Sequence, residues 1–482
     1  MSKKRMGRTV ATEVTVDLLI LGAPRRNFAR AFLRSMLRDR QTVLLNGMKS
    51  PSGHALSGFQ LFIYCSGGFA MNLTNLVLSQ WLYERYVVGG VLGTAAFSLI
   101  LLAGRITDGV SDPFIAFWTD NSWTRWGRRM PFLVLATLPL AAVCFFLWLP
   151  PEHASHSIRI LYAASMCQAY FLLYGLVVTP YLALLPEIAS SPGERLNLTT
   201  GQGVATLAGT MIFALSGLII QRLGYPVLGL MLALAVLLSF YPTTIVLSER
   251  VHPQRSRGSL TDVFRWIWQV LTNRDFLPLL ISTSFFWFGL NLLLMLVPRW
   301  VDARLGMSKE VVTWLMLPFI GVNLLGFFFF NWFAKVAGKF ITLLTVFLIA
   351  APVFALFGWS DRLGLPATPL VCAQVVAGVA GLPVAGFGVA AFALLADVID
   401  ADIARTGIRR EAIYFGVQAI LQKSMIGLSV VTFALLQHAP GTSGLSWTGF
   451  LAGFVCLCAF VCFLGYRLRD EISPLRQRGH EG

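Results

Sequence analysis

Long apolar segments, separated by short polar connections, follow one another from residue 58 to residue 467. An α-helix rises 1.5 Å per residue, so about 20 apolar residues are needed to cross the roughly 30 Å hydrocarbon core of a bilayer. Twelve segments meet this requirement: 58–83, 88–118, 131–150, 158–185, 199–221, 225–247, 276–299, 310–334, 339–359, 369–396, 411–437 and 446–467. The pattern therefore predicts an all-α membrane protein with twelve transmembrane helices.

The composition supports this interpretation, because 56% of the residues are hydrophobic, only 13% are charged, and the mean hydropathy is +0.69. Such a chain has too little charge to cover a water-soluble surface. The formal charge of +15 would favour nucleic-acid binding in a soluble protein. Here the basic residues lie between the apolar segments, so a lipid bilayer is expected as the environment and nucleic acid is not expected as a partner.

Most of the 38 lysines and arginines lie in residues 1–55, in the connections from even- to odd-numbered segments, and in the tail. Basic connections remain in the cytoplasm when a membrane protein inserts. We therefore expect a multi-pass protein of the cytoplasmic (inner) membrane with both termini in the cytoplasm.

Residues 1–55 contain only one short apolar patch, at 14–23, which cannot span a bilayer. A signal peptide would need a cleavage site of small residues after this patch, but Pro24, Arg25 and Arg26 follow it directly. We expect either a disordered, basic cytoplasmic arm or an over-extended reading frame whose natural start lies near Met48.

The connection 248–275 is basic and contains an amphipathic stretch around Trp266 and Trp268, which suits a position along the membrane surface. It separates a predicted six-helix bundle at 56–247 from a second one at 276–468, and a cytoplasmic tail follows at 469–482. Motifs of the first bundle recur about 210 residues later in the second. The matched motifs are Asp120, Gly127 and Arg128 with Asn331, Gly338 and Lys339, and Ala183–Glu187 with Ala393–Asp397. This repetition predicts two six-helix pseudo-repeats with a substrate site between them.

Two aspartates, Asp108 and Asp112, lie four residues apart in the second segment and hence on one face of a helix. Two carboxylates in an apolar segment need a cation, a proton or a basic partner. With Thr107 and Ser111 beside them, they are candidates for a Na⁺ site, or they share a proton. The alternative is that Arg105 pairs with Asp108 while Asp112 is solvated at the end of the helix.

Lys423 is the only lysine well inside an apolar segment, about twelve residues from either end of the eleventh one. Because its desolvation is costly, we expect a nearby carboxylate partner, and the second segment is the obvious source. The alternative is that the long side chain reaches the membrane interface.

Three stretches resemble the glycoside-pentoside-hexuronide:cation symporters, the melibiose-permease-like branch of the major facilitator superfamily. They are 104–131, which contains Asp108 and Asp112, 180–195, and 396–423. The resemblance implies the major facilitator fold, alternating access, and a coupling-cation site at Asp108, Ser111 and Asp112 that Lys423 approaches from the second half. It also implies a set of cytoplasmic gate residues: Asp120, Arg125, Arg128, Arg195, Asp397 and Asp400.

The sequence departs from the sugar-transporting members of this family at the substrate positions. Where they carry two acidic residues and an arginine, this chain has Asn72, Val178 and Gln202, and Leu182 replaces an aromatic residue. Carboxylates suit sugar hydroxyls because they accept two hydrogen bonds, so their loss weakens the case for an ordinary sugar. The remaining polar candidates for substrate contact are Asn72, Asn75, Gln168, Gln202 and Gln418. Each could equally join neighbouring helices.

These observations predict cation-coupled symport, by Na⁺ or H⁺, of a sugar or glycoside-like solute. The related lysolipid symporters make a lysophospholipid or another amphiphile the alternative substrate, and a non-transporting sensor is a further alternative. The sequence contains no Walker motif and no nucleophile–base constellation, so we do not expect an enzyme. We expect no cofactor beyond the coupling ion, and a monomer as the functional unit.

Overall fold

The computed structural model describes residues 56–122, 124, 127–188, 192–247, 260–362, 367–407, 411–439 and 443–468. The predicted basic arm at 1–55 and the predicted tail at 469–482 lie outside these residues. Twelve α-helices of 17 or more residues occur in the described part of the chain. They are Gly58–Tyr83 (α1), Thr94–Asn121 (α2), Met130–Phe146 (α3), His156–Ala183 (α4), Pro192–Ala214 (α5), Ser216–Val246 (α6), Phe276–Trp300 (α7), Glu310–Ala337 (α8), Lys339–Phe357 (α9), Pro369–Thr406 (α10), Glu411–Leu436 (α11) and Ser443–Phe463 (α12).

Each of the twelve predicted segments overlaps one of these helices, in the same order. Within the described residues, nine helices are long and apolar enough to cross a membrane, and α3 is apolar but shorter. The two remaining helices, α2 and α5, are more polar, and α2 is the helix that carries Asp108 and Asp112. The predicted all-α architecture of twelve membrane helices is confirmed.

A glycine marks the change of direction between the fifth and sixth predicted segments. Gly224 has a φ of 81°, which interrupts α6. A residue with a side chain is strained at such a φ, whereas glycine is not. Residues 216–223 therefore continue the course of α5 after a turn at Leu215, and the sixth crossing begins after Gly224.

The two halves repeat the same local geometry at matched positions. Gly127 before α3 and Gly338 before α9 both have a positive φ, of 105° and 89°. Lys339 at the start of α9 donates to Asp397 near the end of α10, at 2.7 Å. At the equivalent pair of helix ends in the first half, Arg129 donates to the carbonyl of Ala183. The structure thus supports the pseudo-repeat found in the sequence.

The halves contact each other mainly through α2 against α11, through α5 and the first part of α6 against α8, and through α1 against α7. The pseudo-repeat relates the first two of these contacts to each other, because α2 corresponds to α8 and α5 corresponds to α11. We call the end of the bundle with the even-to-odd connections the basic side, and the other end the opposite side.

Contacts between the halves close the bundle at the opposite side. Arg222 pairs with Glu310 at the start of α8. The Nζ of Lys309 donates to the hydroxyl of Tyr225 at 2.9 Å, and the backbone N–H of Leu218 donates to Thr313 Oγ1 at 3.1 Å. Close packing accompanies these bonds, since a Cβ on Gly217 would lie 2.4 Å from the carbonyl oxygen of Lys309.

Candidate cation site

Helix α2 brings Asp108 and Asp112 to one face, one turn apart, where they meet α11 and α4. Small residues allow α2 and α11 to approach closely. A Cβ on Gly109 would lie 3.2 Å from the Cα of Ile420, and one on Gly427 would lie 3.0 Å from the Cβ of Arg105. The carboxylates therefore lie at the seam between the two halves of the protein.

Lys423 of α11 bridges the two carboxylates of α2. Its Nζ lies 2.8 Å from Asp108 Oδ1 and 2.6 Å from Asp112 Oδ2. The side chain of Asp108 is only 2% exposed, while those of Asp112 and Lys423 are about one-fifth exposed. The partner expected for Lys423 is thus present, and its ammonium group points to α2 rather than to a membrane interface.

Arg105 makes its hydrogen bonds to α1 rather than to Asp108. One of its terminal nitrogens lies 3.1 Å from Ser79 Oγ and 3.4 Å from Asn75 Oδ1. Its guanidinium group lies over the ring of Phe171, 4.9 Å from the centroid. The local pair of Arg105 with Asp108 is not formed, although the buried guanidinium still adds positive charge one turn away from that carboxylate.

Helix α4 forms a further wall of the site. The hydroxyl of Thr179 donates to Asp112 Oδ1 at 3.2 Å. A Cβ on Gly175, one turn earlier, would lie 3.1 Å from the same oxygen and 3.7 Å from Ser111 Oγ. Glycine at this position therefore lets α4 approach the carboxylates. The sequence reasoning missed Thr179, although a small residue and a hydroxyl residue four positions apart mark one polar face of α4.

The two hydroxyl residues predicted from α2 differ in their placement. Ser111 donates to the carbonyl oxygen of Asp108 at 3.3 Å, so it lies between the two aspartates. Thr107 donates instead to the carbonyl of Ala103 at 2.9 Å, and it forms no hydrogen bond to either carboxylate. The hydroxyls beside the carboxylates are therefore those of Ser111 and Thr179.

Three of the five candidates for substrate contact form hydrogen bonds between helices. Asn72 donates to the Thr206 carbonyl at 2.9 Å and to Thr210 Oγ1 at 2.7 Å, which joins α1 to α5. Gln202 donates to the hydroxyl of Tyr181 at 3.1 Å, and Asn75 accepts from Arg105. The structure thus links Asn75 to the cation site through Arg105 and uses Asn72 and Gln202 to hold helices together.

The other two candidates, Gln168 and Gln418, form no interhelical bond named above. Gln418 of α11 is 4% exposed, and its Oε1 has no hydrogen-bond partner within the described part of the chain. Gln168 of α4 is partly buried. Gln418 lies on the same helix as Lys423, just over one turn away.

Among the predicted gate residues, Asp397 forms an ion pair within the second half, with Lys339. Asp400 is exposed. Arg128 is partly buried in the connection before α3. Arg125 and the side chains of Asp120 and Arg195 lie outside the described part. The inter-half gate therefore stays a prediction.

Comparisons with known proteins agree with this architecture. A sequence model of the family described as "MFS/sugar transport protein" matches residues 63–464. The isoprimeverose transporter of Lactiplantibacillus pentosus is 24% identical over 398 residues, which span 79% of this chain and 80% of that protein. The sodium-dependent lysophosphatidylcholine symporter 1-B of Danio rerio is 31% identical over 166 residues, 34% of this chain and 31% of that protein.

Other alignments are also partial. The match to an uncharacterized symporter of Synechocystis sp., sll1374, is 28% identical and spans 31% of this chain and 28% of that protein. Among solved structures, a D-xylose-proton symporter is similar with a TM-score of 0.61 at 14% identity, covering 86% of this chain and 98% of that chain. At this identity the structural similarity shows the fold alone. From the family match across most of its length, the chain belongs to the MFS sugar-transport family and has the major facilitator fold.

Proposed function

We propose that this protein is a secondary active transporter that couples the movement of a cation, Na⁺ or H⁺, to symport of a sugar or glycoside-like solute. The observation that supports the proposal most strongly is the bridge from Lys423 to Asp108 and Asp112. It places two carboxylates and their counter-charge at the seam between the halves, where alternating access requires a switch.

Lys423 pairs with both carboxylates in this conformation, and a transported cation would replace its ammonium group there. Carboxylate and hydroxyl oxygens suit a hard cation such as Na⁺. Asp108 and Asp112 would supply the charge, and the hydroxyls of Ser111 and Thr179 would complete the site. A proton shared by the two carboxylates would serve the same purpose.

Coupling follows from exchange at this site. When the cation replaces the ammonium group of Lys423, α11 loses its bond to α2, and the balance between the two arrangements of the halves changes. A substrate that binds one arrangement better then binds more tightly in the presence of the cation, and the cation gains affinity by the same factor.

The family and the isoprimeverose transporter favour a glycoside-like substrate. One set of contacts favours a second candidate, a lysophospholipid or another amphiphile. Asn72 and Gln202 are occupied by bonds between helices, Val178 is buried, and Leu182 presents an apolar side chain that is 44% exposed. A site with few free acceptors for hydroxyl groups suits a less hydroxylated ligand.

The setting of the proposed transporter is the cytoplasmic membrane, with both termini in the cytoplasm and the monomer as the working unit. The distribution of basic residues supports this orientation. The basic side of the bundle would then face the cytoplasm, and the contacts of Arg222 and Lys309 would close the external side.

A thermal-unfolding screen of the purified chain tests the proposal. Glycosides, free sugars and lysophospholipids would be added with NaCl or with choline chloride, at several pH values. A ligand of the folded state raises its stability, and for a symporter the shift from substrate should be larger when the coupling cation is present. Stabilisation by a lysophospholipid alone would select the second candidate. A substrate shift independent of both Na⁺ and pH would contradict cation coupling, and a ligand that binds but is not taken up by proteoliposomes would indicate a sensor.

A further inference from the structure

An open cavity lies on the basic side, away from the cation site, where three parts of the chain meet. Its volume is about 770 Å³. The end of the linker region contributes Thr272 and Arg274, α10 contributes Arg405, and the segment after α12 contributes Arg467. The three arginines come from elements far apart in sequence, so the fold itself brings their charges together. Two aspartates, Asp275 and Asp402, line the same cavity, so the arginines exceed the carboxylates by one charge.

The guanidinium groups of this cavity are only partly neutralised. Arg405 pairs with Asp275 at 2.5 Å. Arg274 and Arg467 are exposed, and neither forms an ion pair with another described residue. Guanidinium groups bind phosphate oxygens in a two-pronged geometry. The hydroxyl of Thr272 donates to the carbonyls of Trp268 and Gln269, at 3.1 and 3.0 Å, so the arginines are the donors to a phosphate. The cavity is thus suited to a phosphate group.

The linker helix Leu260–Leu271 anchors one wall of the cavity. It packs against the start of α11, where Val270 is fully buried and Asn273 donates to the hydroxyl of Tyr414 at 2.7 Å. Its other face presents Trp268, which is 70% exposed. An exposed tryptophan beside basic residues is typical of a surface that lies at the level of lipid headgroups.

Two exposed apolar side chains lie close in sequence to residues that line the cavity. Leu277 near the start of α7 is 41% exposed, and Leu464 after α12 is 46% exposed. Leu277 is two residues after the cavity residue Asp275, and Leu464 is three residues before the cavity residue Arg467. A phosphate group bound by the arginines could therefore belong to a molecule whose acyl chains lie along these leucines.

We propose that this cavity is a binding site for the headgroup of an anionic phospholipid, which joins the linker helix to the ends of α10 and α12. Basic recesses on the cytoplasmic face of membrane proteins recognise such headgroups. The site is separate from the proposed coupling site, and its occupation would stabilise the second half together with the linker.

The test uses the full-length chain in a neutral detergent, titrated with dioleoylphosphatidylglycerol, dioleoylphosphatidylcholine or inorganic phosphate, with the thermal unfolding midpoint as readout. Phosphatidylglycerol is expected to raise the midpoint in a saturable way, and the other two are not. Arg274→Gln and Arg467→Gln should each weaken the apparent affinity about fivefold, the effect of one basic residue near an anionic lipid. Arg274→Lys, which keeps the positive charge, should retain most of the affinity for phosphatidylglycerol.

Lys335→Gln is the matched control, because it removes an exposed positive charge near the basic end of α8, outside the cavity. Its affinity for phosphatidylglycerol should equal that of the unmodified protein. An equal loss in Lys335→Gln would overturn the site, because it would mean that net charge alone attracts the lipid. An equal shift by phosphatidylcholine would overturn headgroup recognition, and saturation by inorganic phosphate without further gain from lipid would overturn the lipid as ligand.

Discussion

Lys423 and Asp108 are 315 positions apart in the sequence, yet their side chains form an ion pair of 2.8 Å between the two halves of the protein. Asp112 shares the same ammonium group at 2.6 Å. One ammonium group thus contacts two carboxylates, so it balances only one of their two negative charges. A change in the charge of either carboxylate therefore alters a contact between the two halves.

Lys423→Gln should strengthen cation binding while it abolishes coupled accumulation of substrate. The variant removes the competitor for the two carboxylates but also the contact by which α11 responds. We expect at least about a fivefold rise in Na⁺ affinity, within the usual range of coupling between sites. Isothermal titration with NaCl measures this. A folded Lys423→Gln protein with unchanged or weaker Na⁺ affinity would contradict the competitive role of the lysine.

Thr179→Val should weaken Na⁺ binding about tenfold, since a hydroxyl next to a charged site contributes of the order of 1.5 kcal/mol. Thr179→Ser, which keeps the hydroxyl, should bind Na⁺ nearly normally. Thr107→Val is the matched control, because that hydroxyl bonds to the backbone of its own helix. Equal losses in Thr107→Val and Thr179→Val would mean that the position of the hydroxyl is unimportant.

Gly175→Val should reduce cation affinity by crowding the site from α4. Its Cβ would lie 3.1 Å from Asp112 Oδ1, and its methyl groups would need further space. Overpacking of this kind costs about 1–3 kcal/mol. Gly388→Ala on α10, where a Cβ would meet no atom within 4 Å, serves as control. The comparison is made by Na⁺-dependent thermal shift, and normal binding by Gly175→Val would argue against the proposed wall.

Gly217→Ala should prevent close approach of the halves at the opposite side. The added Cβ would lie 2.4 Å from the backbone oxygen of Lys309, which cannot move independently of its helix. A cysteine at Thr313, at this seam, should then react about tenfold faster with a membrane-impermeant thiol reagent, which corresponds to a shift of about 1.4 kcal/mol. Gly203→Ala, with open space around its Cβ, is the control and should leave the rate unchanged.

The helices and the carboxylate pair could be predicted from the sequence because the physics behind them is local. A segment of twenty apolar residues must be helical in lipid, and a charge inside such a segment needs a partner. The pairing of Lys423 with Asp108 and Asp112 could be predicted because few other charged groups lie inside the apolar segments.

The contribution of α4 could not be predicted in the same way. Thr179 carries no charge, and a threonine inside a membrane helix is often bonded to its own backbone, as Thr107 is. Thr179 lies beside Asp112 because of the rotation of α4 and its close approach to α2. Gly175 permits this approach. The bonds of Asn72 and Gln202 to other helices depend likewise on packing, so their sequence positions alone did not separate substrate contact from interhelical bonding.

Gradient-driven uptake by proteoliposomes tests the central claim most directly. Substrate identified by the thermal screen would be supplied outside, with an inward Na⁺ gradient, an inward H⁺ gradient or neither, to vesicles that contain the unmodified chain or Asp108→Asn. One of the two gradients should drive accumulation by the unmodified protein, and Asp108→Asn, equally folded, should lose that gradient dependence. Full cation-dependent accumulation by Asp108→Asn would contradict the account.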